Sequence, residues 1–306
     1  MPRGALYLPA RLDGGVTSSR RSTPPTDSPD PPVEGPYGAP APLIPLPVLV
    51  NKSLDTPEPS PLPEEPPPEP RRVPRGVVVF DLDGTILDDL NHISEVAADV
   101  ISNAFGIPAP EARIHYLATT GLPFEAQLSQ LFPEVPAAER HRVALVFHQR
   151  KAKEAYGTAH PFPEIPRVIK RLSQEHWTLV ISTGAEKEIA DLLLEREGIR
   201  YWFEAVLGAG QGTKREHLAE YRRRFPGVPV FLVGDSRFDM EAASSVPGVT
   251  ALGRASSLPG WALAPKDLQQ WGAVWADHSL TDLPATVERF ERQMARKPRP
   301  PARKRK

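Results

Sequence analysis

Short apolar blocks without polar alternation recur along the second part of the chain, the pattern of strands buried on both faces. Val77 to Phe80, Trp177 to Ile181 and Pro229 to Val233 are the strongest. Ala205 to Leu207, Val249 to Leu252 and Ala273 to Trp275 are shorter and suit outer positions of the same sheet. Between the blocks the apolar period becomes that of a helix. Ile93, Val96, Ala97, Val100, Ile101 and Phe105 share one face, and Gly106 and Pro108 are stop signals. Further helical patterns cover Phe124 to Leu131, Ala137 to Ala155, a segment from Glu164 with Val168, Ile169 and Leu172 inward, Glu186 to Glu197, and Lys214 to Arg224. A short helix to Ser244 and a final one from Asp282 to about Ala295 complete the set. Such alternation predicts an α/β fold on a doubly wound parallel sheet, a Rossmannoid core whose ligands sit at the carboxyl ends of its strands.

The first two strong strands stand about a hundred residues apart, whereas a strand-helix-strand crossover needs only ~30. Residues 90–161 are therefore predicted to be an inserted α-helical subdomain, and residues 75–89 with 162–290 the α/β core. Composition then sets the ends. Of the 38 prolines, 21 fall before residue 75, so residues 1–74 read as a disordered Pro-rich tail with extended polyproline stretches. A natural start near Val73 or Val77 fits the same break. Residues 291–306 gather Arg296, Lys297, Arg299, Arg303, Lys304, Arg305 and Lys306 into a basic disordered tail. A net charge of -1 gives no argument for a nucleic-acid partner beyond weak contact of that tail. The absence of Cys removes disulfides, thiol nucleophiles and thiolate zinc sites. No run of eighteen apolar residues exists, so no membrane partner is expected, and a cytoplasmic location is.

The block Val77 to Phe80 runs into Asp81-Leu82-Asp83-Gly84-Thr85. In an extended backbone, carboxylates two residues apart point the same way, and like charges that close repel unless a cation or shared proton intervenes. Other chemistry-bearing residues also fall at strand ends or helix starts: Ser182-Thr183-Gly184, Lys214, and Asp235 with Asp239. These types suit phosphoryl transfer. A carboxylate at Asp81 can attack phosphorus and form an acyl phosphate, and Asp83 can protonate the leaving oxygen and then deprotonate water. Mg²⁺ prefers a few hard oxygen ligands; Asp81, Asp235 and the backbone carbonyl of Asp83 would suffice, with Asp239 supporting directly or through water. Strand alternation lets only one of Ser182 and Thr183 face a phosphate. Lys214 supplies a compact positive charge, with Lys187 and Arg215 as rivals.

Taken together, the apolar strand ending in Asp-x-Asp-Gly-Thr, the strand-ending Ser, the Lys and the Gly-Asp-x-x-x-Asp of residues 234–239 resemble the four motifs of the haloacid dehalogenase superfamily of phosphohydrolases. The resemblance covers roughly residues 77–283. It implies Asp81 as nucleophile, Asp83 as acid and base, Ser182 as the second-motif residue, Lys214 as the third, and Mg²⁺ as cofactor. A helical insert between the first and second motifs is similar to the cap of the phosphoglycolate phosphatase and β-phosphoglucomutase branch. The implied activity is hydrolysis of a small phosphorylated metabolite, a phosphomonoester, through an aspartyl-phosphate. Substrate identity would lie in the cap, with His92, Thr120, Gly121 and Gln127 as expected contacts. The superfamily holds two alternatives. Phosphosugar mutases carry a histidine shortly after the first motif, and His92 arrives one residue earlier than that pattern. Phosphonatases use a cap lysine; Lys151 and Lys153 are available, but beside Arg150 and Glu154 they read as an exposed charged face. Asp83 argues against carbon-halogen cleavage. A non-enzymatic alternative is a binding protein that uses its basic C-terminal tail.

Overall fold

In the computed structural model, which describes residues 74–296, the chain from Gly76 to Phe80 forms β1, the central strand of a six-stranded sheet ordered β3-β2-β1-β4-β5-β8. It pairs in parallel with β2 (Trp177–Ser182) on one side and β4 (Val230–Gly234) on the other. The outer positions are filled by β3 (Ala205–Leu207), β5 (Val249–Arg254) and β8 (Trp275–Asp277), also parallel. A strand flanked on both faces must be apolar throughout, and all five residues of β1 are buried. Its side chains alternate between the two layers. Val78 and Phe80 join Ile165, Ile169 and Leu194 on one face, whereas Val77 and Val79 meet Leu218, Tyr221, Met240 and Ala243 on the other.

The helices covering the sheet are α5 (Ile165–Gln174), α6 (Lys187–Arg196), α7 (Lys214–Arg224), α8 (Arg237–Ser244), α9 (Pro265–Gln270) and α10 (Leu283–Arg296). Four more lie between β1 and α5: α1 (Leu90–Phe105), α2 (Ala109–Thr119), α3 (Phe124–Leu131) and α4 (Ala137–Arg150), the last continuing as a π-helical turn, Lys151–Ala155. Aromatic rings hold this group together, with Phe124 stacked on Phe147 at 3.9 Å and Phe105 on Phe132 at 4.2 Å between centroids. The chain leaves the core and re-enters it side by side. The Asp88 N–H donates to the His160 carbonyl at 2.8 Å, and the Phe162 N–H to that of Ile86 at 3.0 Å.

Several elements differ from the apolar pattern. Helix α2 went unpredicted because only Ala112, Tyr116, Leu117 and Thr119 are buried and Ile114 faces outward. The hairpin of β6 (Ser257–Leu258) and β7 (Trp261–Ala262) and the short α9 have too few residues to establish a period. Strand β8 lies two residues later than expected. Residues 291–296, assigned from composition to the basic end, complete α10. The expectations for residues 1–73 and for 297–306 fall outside the described residues. Among the described residues no helix is long and apolar enough to cross a membrane.

Ile169 is fully buried at the α5–sheet contact, whereas Leu192 of α6 is 65% exposed. Ile169→Ala should cost about 2–5 kcal/mol of unfolding free energy through lost transfer energy and a residual cavity. Leu192→Ala should stay within about 0.5 kcal/mol, and urea denaturation of the two variants checks the contrast.

Candidate active site

The carboxyl end of β1 delivers Asp81, whose N–H donates to the Val233 carbonyl of β4 at 2.9 Å, fixing it between two strand ends. Its Oδ1 lies 2.7 Å from the Nζ of Lys214, which also reaches Asp239 Oδ1 at 2.5 Å. Lys214 is the first residue of α7, where the partial positive charge of the helix terminus disfavours a cation. Two buried carboxylates offset that cost. Burial pulls the Lys214 ammonium down, but Asp239 and Asp81 more than reverse this and hold it above its ordinary range. The other oxygen of Asp239 accepts from the Ser236 N–H at 3.1 Å and hydroxyl at 2.5 Å, a capping box on the first turn of α8.

Asp235 follows β4 directly. Its ligand oxygens, with those of Asp81 and Asp239, lie within 4.8 Å of one another, and all three residues are buried. Burial pushes the Asp81 carboxyl up to about 7, with Lys214 opposing and Asp239 and Asp83 adding. Asp235 is raised well above the carboxylate range by burial and then by Asp81. A buried group of three carboxylates with one ammonium has a surplus of negative charge, and its all-oxygen donor set fits a hard divalent cation. Gly84 is required beside it: φ is +74°, and a Cβ there would stand 2.5 Å from Asp235 Oδ2.

Asp83 takes different partners. Lys151 Nζ lies 2.5 Å from its Oδ2, and the Tyr156 hydroxyl donates at 3.0 and 3.1 Å to its two oxygens. Lys151 is therefore no part of an exposed charged face. It is buried in the π-helical turn and faces the core. In the sequence its inward position is masked by the charges of Arg150, Lys153 and Glu154 around it. The signal was present in the spacing, since Val143, Phe147, Lys151 and Ala155 recur every four residues and all are buried.

Asp81 and Asp83 line one cavity of about 50 Å³, together with Thr183, Gly184 and Lys214 from the core. The roof is Tyr116, Thr120, Gly121, Gln127, His148 and Lys151, backed by Phe124 and Phe147. Such a space holds a few waters or a small ligand. His148, which the sequence did not single out, has its pKa lowered by burial and then by Lys151. The Thr120-Gly121 turn presses onto the loop after β4. Gly121 has φ +95°, and a Cβ there would come within 2.2 Å of Ser236 Oγ.

The structure corrects the choice of Ser182. Ser182 shares a face of β2 with Val180, which packs on the α7 layer, and its hydroxyl bonds His217 Nδ1 at 2.8 Å rather than facing the cavity. Thr183, just beyond the strand, is the residue at the cavity wall. Gln127 lines the cavity, but its side chain is committed to the turn: Oε1 accepts from Thr119 Oγ1 and Nε2 donates to the Leu122 carbonyl, both at 2.9 Å. His92 does not join the site. It is exposed, 3.3 Å from Thr158 Oγ1, in a separate surface cleft with Glu95 and Arg150. Of the rival cations, Lys187 pairs with Asp191 and Arg215 is exposed.

Residues 78–246 match the family described as haloacid dehalogenase-like hydrolase. A phosphoglycolate phosphatase of Vibrio cholerae is 27% identical over 186 residues, covering 55% of this chain and 80% of the relative. A "Probable phosphatase IndB" of Dickeya dadantii is 29% identical over 189 residues, covering 58% and 80%. In three dimensions, a haloacid dehalogenase-like hydrolase from Streptococcus pneumoniae superposes with a TM-score of 0.55 at 20% identity, over 69% of this chain and 98% of its own. With a matching profile over more than half of the sequence, and the acidic strand end and its lysine inside the matched span, the chain belongs to the haloacid dehalogenase-like hydrolase family.

Proposed function

We propose that the chain is a Mg²⁺-dependent phosphatase that cleaves a small phosphomonoester through an aspartyl-phosphate on Asp81. The observation that carries the reading is the division of labour between the two carboxylates of β1's end: Asp81 at the cavity floor against Lys214, Asp83 against Lys151 and Tyr156 from the inserted helices. An Asp81 oxygen attacks phosphorus while the ester P–O bond breaks. Asp83 gives its proton to the departing oxygen, then takes one from the water that attacks the phosphoryl group and frees Asp81. Lys214 and the wall at Thr183 hold the phosphate oxygens. A divalent cation held by Asp81, Asp235 and the backbone carbonyl of Asp83, with Asp239 supporting, would offset phosphate charge against the nucleophile.

The inserted helices act as the cap that excludes water and reads the leaving group. The small cavity, together with relatives named phosphoglycolate phosphatase, favours a short phosphorylated hydroxy acid whose carboxylate meets Lys151. Thr120 and Gly121 are the remaining cap contacts, while Gln127 shapes their turn. The location of His92 away from the cavity weakens the mutase reading. Lys151 at the cavity wall favours one second reading, carbon-phosphorus cleavage through a Schiff base. Borohydride trapping with a carbonyl-bearing phosphonate separates it from ester hydrolysis.

With labelled phosphoglycolate, acid-quenched wild type should carry covalent phosphate and Asp81→Asn none. Turnover of Asp83→Asn should fall by about 10²- to 10⁴-fold, the range of general acid-base catalysis. Lys151→Met removes a charge-assisted hydrogen bond and should cost about 10- to 100-fold in kcat/KM. The protein's stability should also respond to the acidic cluster. A carboxyl raised from 3.8 to about 7 favours the folded state when protonated, so its contribution is present at low pH and is lost as pH climbs from about 4 to about 7. Without metal, Asp235→Asn should therefore be more stable than wild type at pH 7.5. Mg²⁺ should raise Tm in wild type and leave the variant unmoved; thermal denaturation with and without the cation checks both.

A further inference from the structure

His217 is buried and has no place in the chemistry above, yet it is hydrogen-bonded both to the end of β2 and to the loop before α7. It lies one turn after Lys214 on α7. Its Nε2 is 3.2 Å from the Gln211 carbonyl, and its Nδ1 is 2.8 Å from the Ser182 hydroxyl at the end of β2. A carbonyl only accepts, so Nε2 carries the proton. The neutral ring then leaves the Nδ1 lone pair to accept from Ser182. The connection extends further: Gln211 Oε1 accepts from the Gly208 N–H at 2.9 Å, and the Thr183 N–H donates to the Leu207 carbonyl at 2.9 Å. The loop before α7 is thus tied both to the strand end that presents Thr183 and to the helix that presents Lys214. The loop packs closely on the ring at Gly212, where φ is +126° and a Cβ would stand 3.1 Å from His217 Nε2.

We propose that His217 is a positioning residue: through Ser182 and Gln211 it keys the end of β2 to the first turn of α7, so that Thr183 and Lys214 converge on one phosphate. The key exists only for the neutral imidazole, because a second ring proton would occupy the nitrogen that accepts from Ser182. The charged groups facing the ring are Lys214, which opposes protonation, and Glu216, which favours it, both on α7. Ser182 and Thr183 from β2, and the 208–212 loop, bring no charge. Burial is the main cause that lowers the ring's pKa below its ordinary 6.5, so the key holds at neutral pH and opens as pH falls through that lowered value.

The turnover arm of the test rests on the phosphatase reading; the other two arms do not. Nitrogen-resolved NMR of full-length protein should show His217 as the Nε2–H tautomer with a titration below that of an exposed histidine. Calorimetry with inorganic phosphate, in Mg²⁺ buffer, should show binding that weakens about tenfold in His217→Leu, as the loss of a buried hydrogen bond implies. His217→Asn keeps an acceptor for Ser182 and cannot titrate. It should bind phosphate within a few-fold of wild type, and its acid-side fall in kcat should lack the component below pH 6.5 that wild type owes to the ring while keeping the one set by Asp81. An Nδ1–H tautomer, unweakened phosphate binding in a folded His217→Leu, or a wild-type acid limb in His217→Asn overturns the proposal. If no phosphoester is hydrolysed, the phosphatase reading fails alone, and the tautomer and phosphate binding still decide the role of His217.

Discussion

Two carboxylates set two residues apart at the end of a buried strand repel each other, and in this molecule each is given its own ammonium. Asp81 is met by Lys214 from a helix of the core, Asp83 by Lys151 from the inserted helices. Neither lysine is local in sequence, so the acidic strand end can exist as folded only when α7 and α4 have both docked. In a poorly screened interior the attraction within each pair is stronger than at the surface but is set against the cost of desolvating both charges, and an unmatched charge there is strongly destabilising. Much of the remaining polar architecture follows from this. Asp239 braces Lys214 while capping α8, and Tyr156 completes the setting of Asp83. Glycine is required at 84 because any side chain there would enter the space of Asp235.

The burial that raises Asp81 and Asp235 also explains why these groups suit a cation better than they suit one another. Three carboxylates around one ammonium leave surplus charge that the surrounding leucines and valines cannot solvate. The folded scaffold therefore stores electrostatic strain at the point where a phosphate would be received, and the packing of the sheet on both sides sustains it. The same reasoning separates core from roof. The floor of the cavity is made of strand ends tied by backbone hydrogen bonds, whereas the roof meets it at Lys151, Tyr156 and the pressed turn at Gly121.

The sheet was legible in the chain because strands buried on both faces must be continuously apolar, and the residues at their carboxyl ends followed directly. Asp81, Asp83, Lys214, Asp235 and Asp239 were all singled out this way; the first three line the cavity, and Asp235 and Asp239 cluster with Asp81. What was not legible depended on which layer packs where. Alternation along β2 requires one of Ser182 and Thr183 to face inward, but parity is fixed only by knowing that Val180 packs on the α7 layer. Lys151 was hidden by its charged neighbours although its four-residue spacing from Phe147 marked it. His92 looked suitable by distance along the chain; the helix turns it outward. Helix α2 escaped because a helix resting on another helix can be buried at a few scattered positions.

The side-by-side crossings at Ile86–Asp88 and His160–Phe162 bear on how the chain can fold at all. Gly76 must find Trp177 about a hundred residues away, and closing so long a loop costs about 1 kcal/mol more than closing the ~30 residues of an ordinary crossover. Contacts among α1 to α4 are mostly closer in sequence and aromatic-rich, so they can form before the strands pair. Once they have, the two ends of the excursion are already neighbours and the remaining search is short. The inserted helices thus serve the sheet as an internal staple, and a lesion deep in their aromatic packing would slow the pairing of β1 with β2 although it touches neither strand.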